Sequence, residues 1–252
     1  MKTVAIIQSR MGSSRFPGKS LAMLHGKPLL QHVIDRLKQA ETIDEIALAT
    51  TEKPEDLSLE KFAKRQSIPC FRGPEEDVLK RFLLCAEKFE ADTIVRICGD
   101  SPLIPPELVD DVVKKHLEEK ADYSSNSVDG KPAVQTGLGL AVEAFSLAAL
   151  KKADCIATKK PHREHVTMLF YTHPEEFKNA FVEIPADLKM DGMRLTVDTP
   201  KDLELLEKVF EALEEQGKPV TLRQVTVFLR KHDELLMGMK ENSASNAKTM
   251  ER

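Results

Sequence analysis

From Val4 to Glu119 the chain alternates short apolar runs with amphipathic helical patterns, and this alternation restricts what it can fold into. Val4-Ala5-Ile6-Ile7, Glu45 to Thr50, Ile68 to Phe71 and Thr93 to Cys98 read as buried strands. Between them lie helical patterns. One starts after Pro28, with Leu29, Leu30, Val33, Ile34 and Leu37 at helical spacing, and others cover Leu57 to Gln66, Asp77 to Phe89 and Pro106 to Glu119. Parallel strands need such crossovers, so the expected class is α/β, a mostly parallel sheet covered by helices on both faces. With 252 residues, 41% of them hydrophobic, the chain has enough apolar material for one full core.

The second half is less regular. Asp122 to Leu140, rich in Ser, Gly and Asn, reads as a flexible loop with a short excursion of strand. Ala144 to Asp154 reads as a helix, His162 opens another that ends near His173, and Arg194 to Asp198 returns to a strand. Lys201 to Glu215 is helical, and Val220 to Lys231 is a helix or a partner-facing element. Residues 1–237 are expected to form a single domain. From Gly238 to the end the chain is polar and aperiodic, and a disordered tail over 238–252 is expected.

No run of 18 apolar residues exists, and the start enters a strand with no charged-then-apolar leader, so neither a membrane span nor a secretion signal is expected. Cys70, Cys85, Cys98 and Cys155 show no zinc spacing and read as reduced thiols, which points to the cytoplasm. A formal net charge of −4 argues against nucleic acid as the main partner. A homodimer is left open.

The local exception to that charge is the loop after the first strand, Gln8-Ser9-Arg10-Met11-Gly12-Ser13-Ser14-Arg15-Phe16-Pro17-Gly18-Lys19. Glycines admit an anion close to the backbone, and arginine and lysine neutralise it. At the carboxyl end of a strand this is a phosphate loop, or else a solvated basic turn. It is not a Walker A loop, because five residues, one of them Pro17, separate Gly12 from Gly18. The dinucleotide fingerprint is absent as well, so Arg10, Arg15 and Lys19 would have to hold the phosphates with side chains.

Two carboxylates follow strand patterns, Asp100 after Gly99 and Asp198 before Thr199-Pro200. If both strands share one sheet, both emerge beside the basic loop, as hard oxygen ligands for magnesium alongside substrate phosphates. Helix capping explains Asp198 about as well. His162-Arg163-Glu164-His165 is either a polar helix start or a sugar-facing group, and Asp77 and Arg81 are spaced as a helical surface ion pair.

Three segments together resemble a known family: the loop from Ile7 to Lys19, Arg96-Ile97-Cys98-Gly99-Asp100-Ser101-Pro102-Leu103-Ile104, and Leu195-Thr196-Val197-Asp198-Thr199-Pro200-Lys201-Asp202-Leu203. They are similar to the cytidylyltransferases that activate acidic sugars, the acylneuraminate and ketodeoxyoctulosonate enzymes, and most to the branch of spore coat polysaccharide biosynthesis protein F. Arg72-Gly73, Glu76 to Leu79 and Arg163 to Thr167 carry the same resemblance, which spans roughly residues 1–210.

The resemblance implies the Rossmann-like nucleotide-diphospho-sugar transferase fold and transfer of CMP from CTP to an acidic sugar for surface polysaccharide. It implies Mg2+ as cofactor, held by Asp100 and Asp198, with Arg15 and Lys19 as catalytic cations. The nucleotide would lie on Gln8, Arg10, Gly12, Ser13, Ser14 and Gly99 besides those two cations. Asp77, Arg81, Arg163, Glu164 and His165 would be candidates for the sugar. Where the ketodeoxyoctulosonate enzymes carry a glutamine before Gly-Asp, this chain has Cys98, a poor hydrogen-bonding partner for a base. Transfer of another nucleotide to another acceptor, or a silent nucleotide-binding scaffold, therefore stay as alternatives.

Overall fold

The computed structural model describes the backbone of residues 1–250 and the side chains of residues 1–245. β1 (Thr3–Gln8) is almost wholly buried and lies inside the sheet. After its loop come a two-stranded hairpin of β2 (Met23–Leu24) and β3 (Lys27–Pro28), then α1 (Leu29–Leu37) and β4 (Glu45–Thr51). α2 (Leu57–Arg65), β5 (Cys70–Gly73), α3 (Val78–Lys88), β6 (Thr93–Cys98) and α4 (Pro106–Glu119) continue the alternation. The second half supplies β7 (Tyr123–Val128), β8 (Lys131–Pro132), β9 (Glu143–Ser146), α5 (Leu147–Ile156), α6 (Lys160–Glu164), α7 (Met168–Thr172) and β10 (Asn179–Glu183). It closes with α8 (Pro200–Glu215), α9 (Leu222–Leu229) and α10 (Asp233–Met250).

The sheet runs β10-β7-β9-β6-β1-β4-β5, with β8 hairpinned onto β7. β6, β1, β4 and β5 are mutually parallel, so their carboxyl ends form one rim, and the loops after β1 and β6 are neighbours there. β9 enters antiparallel between β6 and β7, and β10 is parallel to β7. Both faces are covered. Ala5, Ile7, Leu48 and Val95 point into a core closed by α1, α2, α4, α8 and α9. Val4, Ile6, Ala47 and Ile94 point into a second core closed by α3, α5 and α7. The alternation of side chains along a strand buried on both faces produces this split.

Five stretches differ from the sequence expectation. Within Asp122 to Leu140, β7 is an interior strand whose Ser124, Ser125 and Asn126 are fully buried. Their polarity reads as loop, yet each side chain has a partner. Asn126 Nδ2 donates to Leu140 O at 3.0 Å and its Oδ1 accepts from Val142 N at 2.9 Å, while Ser124 Oγ pairs with His116 Nδ1 at 3.2 Å. Ala144 and Phe145 belong to β9 rather than to a helix, because Ser146 caps α5 by accepting from Ala149 N at 3.0 Å. The pattern from His162 to His173 breaks into the short α6 and α7.

Residues 194–198 are extended but outside the sheet, since Leu195 N donates to Leu138 O and Val197 N to Asp100 O, both at 2.8 Å. The expected tail is also different: α10 covers Asp233–Met250, Met239 is 2% exposed in the first core, and Asn242 is hydrogen-bonded to the start of α8. The residues it packs against the first core, Leu235, Leu236 and Met239, span little more than one turn, too short a run to show a period. Residues 251–252 of that expected tail lie outside the described residues.

The contact of 138–140 with 195–196 depends on Gly139, whose φ is +85° and where a Cβ would lie 2.3 Å from Thr196 N. Gly139→Ala is therefore expected to cost about 3 kcal/mol or more, through left-handed strain plus overpacking. Gly26→Ala has the same sign of φ (+75°) but open space around it. It should cost only ~1 kcal/mol. Urea unfolding of the two variants against the parent checks the difference.

Candidate active site

The loop after β1 is built to aim one ammonium inward. Met11 N donates to Asp56 Oδ1 at 2.7 Å, and Asp56, 1% exposed, is held in turn by the Thr51 hydroxyl at the end of β4. Gly18 N returns to Met11 O at 2.9 Å, with Gly18 at φ +77°, so the chain turns sharply into a short 3-10 turn at Lys19–Leu21. A left-handed residue at that point favours glycine. Ser9 and Ser20 hydroxyls meet at 2.6 Å beneath the turn.

Lys19 then reaches across the rim. Its Nζ donates to Asp100 Oδ2 at 2.6 Å, Asp198 Oδ1 at 2.9 Å and Val197 O at 2.9 Å. Three segments far apart in sequence therefore converge on one cation. Burial pulls the pKa of this ammonium down, but the Asp100 and Asp198 carboxylates outweigh it and raise the pKa above its ordinary value. Arg15 joins through an ion pair of 3.0 Å to the same Asp198 Oδ1.

Asp198 is not a helix cap. Thr199 caps α8, and Asp202 completes the capping box by accepting from Thr199 N at 2.8 Å and Asp198 N at 2.9 Å. The Asp198 carboxylate is left for cations: Lys19, Arg15, and Arg194 on its Oδ2. Burial would push its pKa up, but Lys19, Arg15 and Arg194 hold it below the ordinary carboxylate value. Arg194 is the residue that sequence reasoning missed. It lies four residues before Asp198 on an extended segment, so both point to one side, and that spacing was the available signal.

Arg15, Lys19, Asp100 and Asp198 line one cleft of about 600 Å³, together with Gln8, Arg10, Ser13, Ser14 and Gly99, while Arg194 stands behind Asp198 outside the lining. Gly99 fits because it lacks a Cβ, which would stand 3.0 Å from Ser9 and 3.1 Å from Gln8 O. Gly12 is outside the lining, with open space around it. Gln8 Oε1 accepts from Arg96 Nε at 3.1 Å, and Arg96 also pairs with the fully buried Glu143, which accepts from Tyr123 OH at 2.7 Å. Cys98 lines the cleft with its thiol pushed up by burial to about 11, so it is neutral and no nucleophile at pH 7.

The five sugar candidates divide. Glu164, His165 and Arg81 line the cleft, whereas Asp77 and Arg163 do not. Asp77 caps α3 through Lys80 N at 2.9 Å and pairs with Arg163, which also holds Asp154 at 2.7 Å, so this set fastens α6 to α3 and α5. Asp77 and Arg81 are not the surface pair that their spacing suggests, because Arg81 is 1% exposed.

A cytidylyltransferase family model matches residues 4–233. The chain belongs to the cytidylyltransferase family. It is 39% identical over 238 residues to an uncharacterized protein of Methanocaldococcus jannaschii, covering 93% of each chain. To spore coat polysaccharide biosynthesis protein SpsF of Bacillus subtilis it is 31% identical over 233 residues, covering 90% of this chain and 94% of that one. A solved cytidylyltransferase from Leptospira borgpetersenii superposes with a TM-score of 0.81 at 29% identity, covering 94% of this chain and 97% of the other. The expected fold, the nucleotide-diphospho-sugar transferase type, is the one these cytidylyltransferases share.

The cluster sets cations on a rigid rim with carboxylates that orient them, an arrangement suited to stabilising anionic charge. Asp100 and Asp198 already converge on one cation-sized point, so the donor set fits a hard dication with two oxygens. Among the described residues no third His, Cys, Asp or Glu joins them, so phosphate oxygens and water would complete its shell.

The Arg194–Asp198 pair gives a signed pH test. Because the folded carboxyl titrates below the unfolded value of about 3.9, the stability it contributes is present above that pH and lost as pH falls through the folded pKa. Arg194→Met removes one of three cations and raises the folded pKa. Its stability deficit relative to the parent should be greatest above about pH 5 and shrink toward pH 3. Urea titrations across that range check it.

Proposed function

We propose that this cytidylyltransferase transfers CMP from CTP to a hydroxyl of an acidic sugar, releasing pyrophosphate, in the synthesis of a surface polysaccharide. The observation that carries the reading is the meeting of Lys19 and Arg15 with Asp100 and Asp198 at the carboxyl rim of β1 and β6. That rim is where ligands of open α/β sheets bind. A sugar acid is supported by the cationic side chains Arg96 and Lys160 elsewhere in the cleft. The relation to a spore coat polysaccharide biosynthesis protein supports the polysaccharide context.

In this reading the sugar hydroxyl releases its proton to solvent as its oxygen bonds to the α-phosphorus, the bond from that phosphorus to the bridging oxygen of the β-phosphate breaks, and pyrophosphate leaves. Arg15 and Lys19 exchange carboxylate oxygens for phosphate oxygens and balance the charge that grows on the leaving group. The turn fixed by Asp56 and Gly18 presets both cations, so little reorganisation is needed during transfer. Mg2+, held by Asp100 and Asp198, would supply further charge neutralisation at the phosphates. Localisation in the cytoplasm belongs to the same proposal, since nucleotide triphosphates are its substrate.

Lys19→Ala and Arg15→Ala should each lower turnover at least ~100-fold, the scale of one transition-state donor, while the fold is kept. Pyrophosphate release across four nucleotides and a panel of acidic sugars provides the assay, with CTP the fastest nucleotide. A faster reaction with GTP or UTP would move the assignment to another nucleotidyl transfer, and no reaction with any pair would favour a scaffold.

The metal assignment has its own expected outcome. Asp100→Asn and Asp198→Asn should both raise the concentration of Mn2+ needed for half-saturation in the presence of CTP, read by the loss of the free-ion paramagnetic signal. Normal Mn2+ titration of both variants would refute the two-carboxylate site whatever their turnover.

A further inference from the structure

Arg81 is the largest fully buried side chain of the molecule's described residues, and it lines the cleft. It makes no ion pair among them. Its Nη1 donates to the carbonyls of Pro74 and Glu75, its Nε is buried with no hydrogen-bond partner, and its second amino nitrogen has no partner either but is not sealed from the cleft. The two acids whose charge acts on it are engaged elsewhere, Glu75 by Lys53 at 2.8 Å and Arg10 at 3.6 Å, and Asp56 by Met11 N and the Thr51 hydroxyl. Burial, with Arg10 adding repulsion, pushes the guanidinium down to about 10, so it stays charged at pH 7. A desolvated donor without a partner is costly, and it is expected where a ligand supplies the missing acceptor.

The position of Arg81 says which part of the ligand that is. Arg15, Lys19 and the two aspartates occupy the rim between β1 and β6, and this set accounts for the phosphates. Arg81 lies on the other side, in the helix after β5, beside Lys53, which follows β4. In an open α/β sheet the strands β1, β4 and β5 form the mononucleotide-binding half, so a nucleotide with its phosphates on the β1 loop carries its base toward that side. Arginine has donors only, and the pyrimidine carbonyl O2 is an acceptor.

On the reading that the nucleotide is CTP, we propose that Arg81 is a base-binding residue: its free amino nitrogen donates to the O2 carbonyl of the pyrimidine. This moves Arg81 from the sugar to the nucleotide. The two backbone carbonyls that it holds fix the angle of the guanidinium, so the same side chain both shapes the turn at 74–75 and reads the base. Because uracil carries the same O2, Arg81 separates pyrimidines from purines and leaves the choice between CTP and UTP to other groups.

The test is a cycle of protein and ligand, read as dissociation constants by calorimetry for CTP, 2-thio-CTP and tripolyphosphate. Wild type should bind CTP about tenfold more tightly than 2-thio-CTP, whose sulfur is a weak acceptor. In Arg81→Met that ratio should fall to near one, with tripolyphosphate affinity unchanged. Should Arg81→Met fail to fold, as circular dichroism will report, Arg81→Lys is read the same way, because its single nitrogen stays with the turn carbonyls. If the variant weakens CTP and 2-thio-CTP by the same factor, Arg81 only supports the turn and the proposal is wrong. An unchanged ratio overturns it too. A wild type that binds tripolyphosphate as tightly as CTP overturns the CTP reading itself, and this inference with it.

Discussion

One ammonium ties the active centre together. Lys19 belongs to the loop after β1, Asp100 to the end of β6, and Asp198 to an extended segment outside the sheet. None of the three is near the others in sequence, and the ion pairs are half shielded from water, where Coulomb attraction is stronger than at an open surface. The arrangement needs the parallel pairing of β1 with β6 to bring two loops to one rim. It also needs the close passage at Gly139 to hold the third segment alongside. Lose either and Lys19 has a carboxylate to hold on one side only.

The charges of this cluster nearly cancel. Lys19, Arg15 and Arg194 face Asp100, Asp198 and Asp202. The site is therefore a set of cations kept in position by internal counter-ions rather than an open positive hole. Isolated buried cations would shift toward neutrality or draw in water and lose definition, and the aspartates prevent both. What the cluster gives up in raw attraction it recovers in order, because each cation is already held in one position by its carboxylates.

Much of this was legible in the chain itself, for local reasons. Arg15, Lys19 and Asp100 stand in unbroken motifs directly after strands, so their place on the rim follows from strand direction alone. Arg194 was not legible in the same way, because its role depends on which side of an extended segment faces the site. Asp56 was hidden for another reason: an acid at a helix start looks like a cap, and here it instead holds the backbone of Met11. β7 was misread because Ser124, Ser125 and Asn126 are polar, and only their tertiary partners make burial tolerable. The apolar content of α10 was too sparse to announce a helix whose burial depends on the groove beside α8.

That last helix ties a remote part of the chain to the reaction centre. Asn242 donates to Asp202 at 2.7 Å and to Thr199 at 3.0 Å, the two residues that set the backbone at Asp198. Shortened versions of this protein that end at residue 237, a natural choice if the remainder is taken for a dispensable appendage, would remove a brace behind the carboxylate that orients Lys19. An engineer who wants a smaller or more crystallisable catalyst should trim elsewhere.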